Sequence, residues 1–294
     1  MLSIIIPSRN EQFLQPTIID LLEKAEGEIE VIISLDGYWP DPCLKGDDRL
    51  KLIHLGKSKG MRNAINCGVA IARGKYIMKI DGHCLLDKGY DVKLIKESKP
   101  NLVQVPRRKR LDAENWCEHN VGKPDIDYMY LSYPDDPNDR GGTGFHGRMW
   151  NNKNKDKSLE KDKIVDCISA QGSCYFLEKK YYEELELLDE INYGPFGSEF
   201  QEVGFKCWLS GGRVVRNKNT FYCHLHKGKK YGRGYFLSKT SMNQATAFTN
   251  KWVNFQEAWS KQTKPLNWLI KHFWPMPGWT EEKYEALFGE KYDQ

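Results

Sequence analysis

The sequence predicts an α/β protein, a mostly parallel sheet with helices on both faces, followed by a helical C-terminal extension. Three observations lead there. Strand-like and helix-like segments alternate over the first hundred residues, the order an open α/β sheet demands. The strand-like segments are continuously apolar, as expected where both faces of a sheet are covered. Their carboxyl ends carry polar residues, and ligands of such sheets sit beyond those ends.

The elements follow in order. "LSIIIPS" at 2–8 reads as a short buried strand stopped by Pro7, and 15–26 has helical spacing of Ile18, Ile19, Leu22 and Ala25. "IEVIISLD" at 29–36 is a second strand ending in Asp36-Gly37, and 50–55 a third. Residues 60–74 form a helix closed by Gly74, and 75–81 a fourth strand ending in Asp81-Gly82-His83. Pro7-Ser8-Arg9, Asp36-Gly37 and Asp81-Gly82-His83 therefore converge on one crevice.

From 104 to 165 the pattern loosens. The basic run "PRRKR" at 106–110 reads either as a solvated loop or as a contact for an anionic ligand. Residues 133–157 are the least regular, and Phe145, His146, Arg148, Met149 and Trp150 within them favour a binding loop or lid over a linker. Residues 164–185 return to strand, glycine turn and helix, 196–212 to a helix stopped by Gly211-Gly212, and 213–226 to two short strands. Five of the nine tryptophans (252, 259, 268, 274 and 279) lie beyond 235. Amphipathic helices packing back on the core would explain them, and a partner-binding surface is the other reading.

Composition narrows the function. Forty-four Lys and Arg against forty Asp and Glu leave +4, too even a balance for a protein that lives on nucleic acid. The opening "LSIIIP" has no leader pattern, and no window reaches the roughly 18 to 20 apolar residues of a membrane span. The expectation is a soluble, cytoplasmic chain. Eight cysteines without a CxxC pair read as reduced core residues.

The chemistry concentrates at the fourth strand end. Asp81-Gly82 is an ordinary reversal signal, yet Asp81 and His83 can also face one ion from the same turn. "HLH" offers a third ligand, His224 or His226. Oxygen and imidazole together suit manganese, and other first-row metals would accept them.

"SIIIPSRNE" at 3–11 and "NCGVAIARGKYIMKIDGH" at 66–83 resemble the family 2 nucleotide-sugar glycosyltransferases, whose domain has the GT-A fold. His83 stands where that family usually has a second acid. Asp-x-His there is similar to the polypeptide N-acetylgalactosaminyltransferases. So is "FGSEFQEVGFKCWLSGG", which matches them at Gly197, Glu199, Glu202, Phe205, Lys206, Trp208, Gly211 and Gly212.

The resemblance implies Asp81, His83 and His224 as ligands of Mn2+ or another divalent metal, with His226 as a neighbour. It implies donor contacts from Pro7, Ser8, Arg9, Glu11, Asp36, Arg62, Asp81, Gly82, Gln171 and Gly172. Pro7, Ser8 and Asp36 would meet uracil and Arg62 the diphosphate, while Gln171-Gly172-Ser173 replaces the family's Ala-Gly-Gly at the sugar. Phe200 stands where inverting relatives have their base. Either Glu199 or Glu202 then takes that role, or configuration is retained and the departing phosphate accepts the proton, the reading favoured.

The expectation is a metal-dependent hexosyl- or N-acetylhexosaminyltransferase using a UDP-sugar and a glycan, protein or lipid-linked acceptor, with no nucleic acid and no membrane span. Residues 1–235 would form its domain: 1–100 the nucleotide half, 101–235 the sugar and acceptor half, and 236–294 an extension. Two alternatives stand beside it. One is an inactive binding module of the same fold. The other is a nucleotidyltransferase, which should show a phosphate loop, and no GxxxxGK[ST] occurs.

Overall fold

Four parallel strands build the N-terminal half of one sheet: β1 (Leu2–Ser8), β2 (Ile29–Leu35), β3 (Leu50–His54) and β4 (Tyr76–Ile80), side by side as β3-β2-β1-β4. The computed structural model describes residues 1–119, 121–134 and 144–292. Helices α1 (Leu14–Lys24) and α2 (Met61–Ile71) cover opposite faces of these strands. Alternate side chains of each strand go to opposite sides. Leu2, Ile4 and Ile6 therefore pack with Ile18 and Leu21 of α1, while Ile5 packs with Ile65 and Val69 of α2.

The chain then runs through β5 (Cys84–Leu86), α3 (Tyr90–Lys96), β6 (Leu102–Asp112), β7 (Cys117–Glu118), β8 (Met129–Leu131), β9 (Gly147–Met149) and α4 (Asn151–Lys155). After β10 (Ile164–Asp166), β11 (Cys174–Glu178), α5 (Lys179–Glu184), α6 (Glu199–Leu209) and β12 (Arg213–His224) come α7 (Gly228–Tyr231), α8 (Lys239–Phe248), α9 (Leu266–His272) and α10 (Glu281–Phe288). Strand β11 pairs antiparallel with both β4 and β6. Strand β6 is parallel to β12, and β10 closes that edge antiparallel. The sheet is thus parallel in its first half and mixed beyond β4.

Two expectations need correction. The basic run 106–110 is part of β6, not a loop, with Arg108 buried and Arg107 and Lys109 partly so. A proline inside a paired strand removes a ladder hydrogen bond and is tolerated at bulges. Pro106 lies opposite Asn217, at a register shift between Asn217 and Phe221. That shift also explains why 213–226 looked like two strands: β12 is one 12-residue strand with an irregularity in its middle.

In the long loop, residues 135–143 lie outside the described residues. Of the others, Phe145 and Trp150 are core residues rather than parts of a lid. Residues 147–149 form β9 against β8. The C-terminal tryptophans pack back. Trp252, Trp259 and Trp279 join the same core as α2 and α6, with Trp268 and Trp274 against it. The indole of Trp252 donates to Tyr193 Oη at 2.7 Å and that of Trp279 to the Leu131 carbonyl at 2.8 Å. The eight cysteines are free; Cys84, Cys167, Cys174, Cys207 and Cys223 are buried as expected, whereas Cys43 and Cys117 are exposed. Among the described residues no helix is long and apolar enough to cross a membrane.

Candidate functional site

Beyond the carboxyl ends of β1, β2 and β4 opens a cavity of about 1230 Å³. Its walls include Pro7, Ser8, Arg9 and Glu11 after β1, Asp36 after β2, Asp81, Gly82 and His83 after β4, and Gln171, Gly172 and Glu199 from the second half of the chain. The sheet fixes their spacing. Asp36 N–H donates to the Ser8 carbonyl at 2.8 Å and Asp81 N–H to the Ser173 carbonyl at 2.9 Å. His224 ends β12 opposite Cys84 and Arg110.

One carboxylate and two imidazoles meet at the centre. Ligand atoms of Asp81, His83 and His224 lie within 4.8 Å of one another. His224 Nε2 is 3.3 Å and His83 Nε2 3.9 Å from Asp81 Oδ2. Atoms bound about 2.1 Å from one small ion stand about 3 to 4 Å apart, so closure by less than about 1 Å would bring all three onto it. His226 lies apart, its Nε2 2.6 Å from an Arg108 amine.

The protonation states agree with that use. Burial pushes the His224 imidazole down to about 3, although its hydrogen bond to Asp81 pulls the other way, so its lone pair is available at neutral pH. Its Nδ1 is buried without a protein partner. Burial opposes the Asp81 charge, but Lys79 and the two histidines outweigh it and hold the carboxyl well below its usual range. His83 Nδ1 contacts Glu11 Oε2 at 3.0 Å. The same carboxylate takes the Lys227 ammonium and, through its other oxygen, Phe13 N–H at 3.1 Å. Glu11, expected at the donor, thus spends its oxygens on a histidine, a lysine and the backbone.

Lys79 is the residue that sequence reasoning missed. It is 1% exposed, and its ammonium reaches Asp81 Oδ1 at 2.7 Å, the Gly172 carbonyl at 2.5 Å and Glu199 Oε2 at 3.2 Å. Burial alone would lower its pKa; the two carboxylates reverse this and hold it above the ordinary lysine value. Its signal in the sequence was a lone charge inside "YIMKI". Arg108 was legible only as part of a basic run, and Arg233 and Tyr235, which also line the cavity, gave no signal.

The two glutamates of α6 part ways. Glu199 lines the cavity at 7% exposure. Its carboxyl is raised by burial against the pull of Lys79. A Cβ on Gly172 would come within 2.7 Å of Glu199 Oε2, so a side chain there would displace the Glu199 carboxylate. Glu202, expected as a candidate base, is outside the cavity walls and fully buried. One oxygen binds Arg62; the other accepts from Lys206 Nζ at 2.8 Å and from Asp189 N–H at 2.8 Å. Arg62, expected at the diphosphate, is likewise consumed: it is 0% exposed, donates also to the Gly197 carbonyl at 2.8 Å and lies over the Tyr193 ring. Two helix residues three apart are neighbours, and which one turns to the cavity follows from packing.

Glu202→Gln is therefore expected to act on stability. Breaking one partner out of a buried pair costs about 3 to 5 kcal/mol, read as a lowered denaturant midpoint, with the affinity for UDP little changed in the folded fraction. A variant of native stability that had lost activity would return Glu202 to the chemistry.

At the far wall Asp36 accepts from Lys59 N–H at 2.6 Å and from Ser58 Oγ at 2.7 Å. Ser8 Oγ is 3.0 Å from Tyr38 Oη, and the Arg9 guanidinium lies 4.7 Å over the Tyr235 ring. Gln171 Oε1 is buried without a protein partner.

The model of glycosyl transferase family 2 matches residues 3–168. A Bacillus subtilis protein described as the uncharacterized glycosyltransferase EpsJ is 32% identical over 113 residues, 36% of this chain and 32% of its own length. Polypeptide N-acetylgalactosaminyltransferase 5 of Caenorhabditis elegans is 25% identical over 177 residues, 56% of this chain and 25% of its own length. The chain thus spans a third or less of either relative. Among solved structures, GalNAc-T7 with UDP, GalNAc and Mn2+ is similar in fold, with a TM-score of 0.62 at 15% identity over 99% of this chain and 55% of that one.

Proposed function

The chain belongs to glycosyl transferase family 2, and on that footing we propose that it moves a sugar from a UDP-sugar to a hydroxyl of a glycan, protein or lipid-linked acceptor, aided by a divalent cation, manganese by preference. One observation carries the reading: Asp81, His83 and His224 are grouped in a single cavity with Pro7, Ser8 and Asp36. A carboxylate with two imidazoles suits manganese, and the UDP and Mn2+ of the GalNAc-T7 structure support the choice. When bound, the cation supplies positive charge against the diphosphate as the sugar–phosphate bond breaks.

The chain's own residues do the rest. Pro7, Ser8 and Asp36 receive the base. The Glu11 carboxylate accepts from His83 Nδ1–H, which orients the ring with Nε2 turned toward Asp81. Lys79 holds Asp81 and Glu199 in fixed places. Glu199, Gln171 and Gly172 border the sugar. With Glu202 locked to Arg62 and Lys206, and Glu199 held by Lys79, the proton of the acceptor hydroxyl passes to the departing phosphate and configuration is retained. The inverting alternative makes Glu199 the base; the burial that raises its carboxyl favours it. Residues 1–235 would be the working unit, with 236–294 an extension whose first residues, Phe236, Leu237, Ser238 and Ser241, also line the cavity.

Calorimetric titration of UDP tests the reading. Affinity in Mn2+ should exceed that in EDTA by about tenfold or more, about 1.4 kcal/mol; equal affinity in both would remove the metal from the proposal. A panel of UDP-sugars identifies the donor, and the anomeric configuration of the product by NMR decides between retention and inversion.

A further inference from the structure

We propose that Arg108, backed by His226, is the receptor for an oxyanion, a carboxylate or phosphate, carried by the transferred sugar or by the acceptor. The inference rests on the donor-site reading above and goes beyond it to the chemical class of the substrate.

Arg108 lines the cavity at 3% exposure. A buried guanidinium is normally matched by a carboxylate, because an unpaired buried charge is costly. Among the described residues no carboxylate lies within ion-pair distance of it, whereas its neighbour Arg107 has three, Asp125, Asp127 and Glu160. One amine of Arg108 donates to His226 Nε2 at 2.6 Å, and its Nε has no partner. A guanidinium can only donate, so His226 Nε2 is the acceptor. Burial pushes the guanidinium below its ordinary pKa, and Arg110 and Arg216 nearby add like charge. Arg148 and Lys227 line the same cavity. Among the described residues, then, this buried, oriented cation has no counter-charge.

Position says which part of the substrate supplies it. Strands sit about 4.8 Å apart, and β6 is the second strand from β4 and the third from β1. Arg108 is thus rooted about 10 Å across the sheet from the strand that leads to Asp81, on the side away from Pro7 and Ser8. A nucleotide whose base lies by β1 and β2 runs across the sheet to the metal ligands at Asp81, and Arg108 is rooted beyond that point on the same line. Arg108 is instead next to residues 126–149: its carbonyl accepts from Ile126 N–H at 2.9 Å, and the strand that follows pairs Tyr130 with Arg148. The diphosphate is accounted for by the metal ligands, so the anion at Arg108 belongs to the transfer end.

The test uses the full chain with Mn2+. One calorimetric series compares UDP-glucose with UDP-glucuronate. A second titrates glucose, glucuronate and glycerol 1-phosphate into the UDP-loaded protein. In one series the acid should bind at least about tenfold tighter than its neutral counterpart, and Arg108→Met should erase that margin while UDP affinity stays within about twofold. Preference in the first series assigns the anion to the donor, in the second to the acceptor. No preference in either, a preference that survives Arg108→Met, or a parallel fall in UDP affinity each overturns the proposal, the last by placing Arg108 on the diphosphate. If thermal melting finds Arg108→Met unfolded, Arg108→Lys carries the test. It keeps the charge without the fork and should cut the margin at least about threefold; an unchanged margin overturns the proposal. Should UDP fail to bind at all, the donor reading falls by itself, and the two acids titrated into nucleotide-free protein still read the anion site.

Discussion

Asp81→Ala is expected to reduce UDP affinity in Mn2+ to the value in EDTA and to lower transfer by at least about 100-fold, the scale seen when one preorganised charge-stabilising group is removed. Asp81 is the only anionic member of the candidate cluster, and both histidine nitrogens are measured against its Oδ2. Without it two imidazoles remain, a weaker set for a hard cation. The fold should survive, since Lys79 keeps Glu199 and the Gly172 carbonyl as partners. His224→Ala should behave alike. Calorimetry and a donor-hydrolysis assay on both variants check this, and transfer retained within about tenfold in either would remove that residue from the metal site.

Lys79→Met should destabilise the protein by about 3 to 5 kcal/mol, chiefly the cost of leaving the buried Glu199 carboxylate without its cation. Two further readouts separate this from simple loss of packing. Saturating Mn2+ should raise the variant's melting midpoint more than that of the parent, because an ion on Asp81 restores a positive charge at that place. The loss should also shrink in acid. The Glu199 carboxyl is raised by burial even with Lys79 present. A group whose folded pKa lies above its unfolded value favours folding below the unfolded pKa, and that advantage is lost as pH rises through the folded one. Melting from pH 5 to 8 reads this; a variant equally destabilised throughout, and indifferent to manganese, would leave Lys79 a packing residue.

The parallel half of the fold was legible because its strands are uninterrupted apolar runs with polar residues at their ends, and one periodicity reports both sheet and crevice. The grouping of Asp81, His83 and His224 was legible through a resemblance, which singled out His224 by its distance beyond Gly212. Strand β6 was hidden, since Arg107, Arg108, Lys109 and Arg110 mask its period and their partners, Glu118 and Asp127 among them, come from elsewhere in the chain. Arg62 and Glu202 were placed in the site for a related reason. A motif names residue types, but only packing reveals that these two had already found each other across 140 positions. Lys79 failed most simply: a charge in a buried strand reads as an exception until its two carboxylates are in place.

Asp81 and His224 stand 143 positions apart. A ligand that takes both has nothing to hold until the last strand has docked on the sheet, so occupancy registers completed assembly rather than the presence of the early half. At a hundredfold excess over its dissociation constant such a ligand adds about 2.7 kcal/mol to the assembled chain and nothing to a partly folded one. The site is then also a latch, and chelation becomes a way to ask when, during folding, the two halves of the molecule first meet.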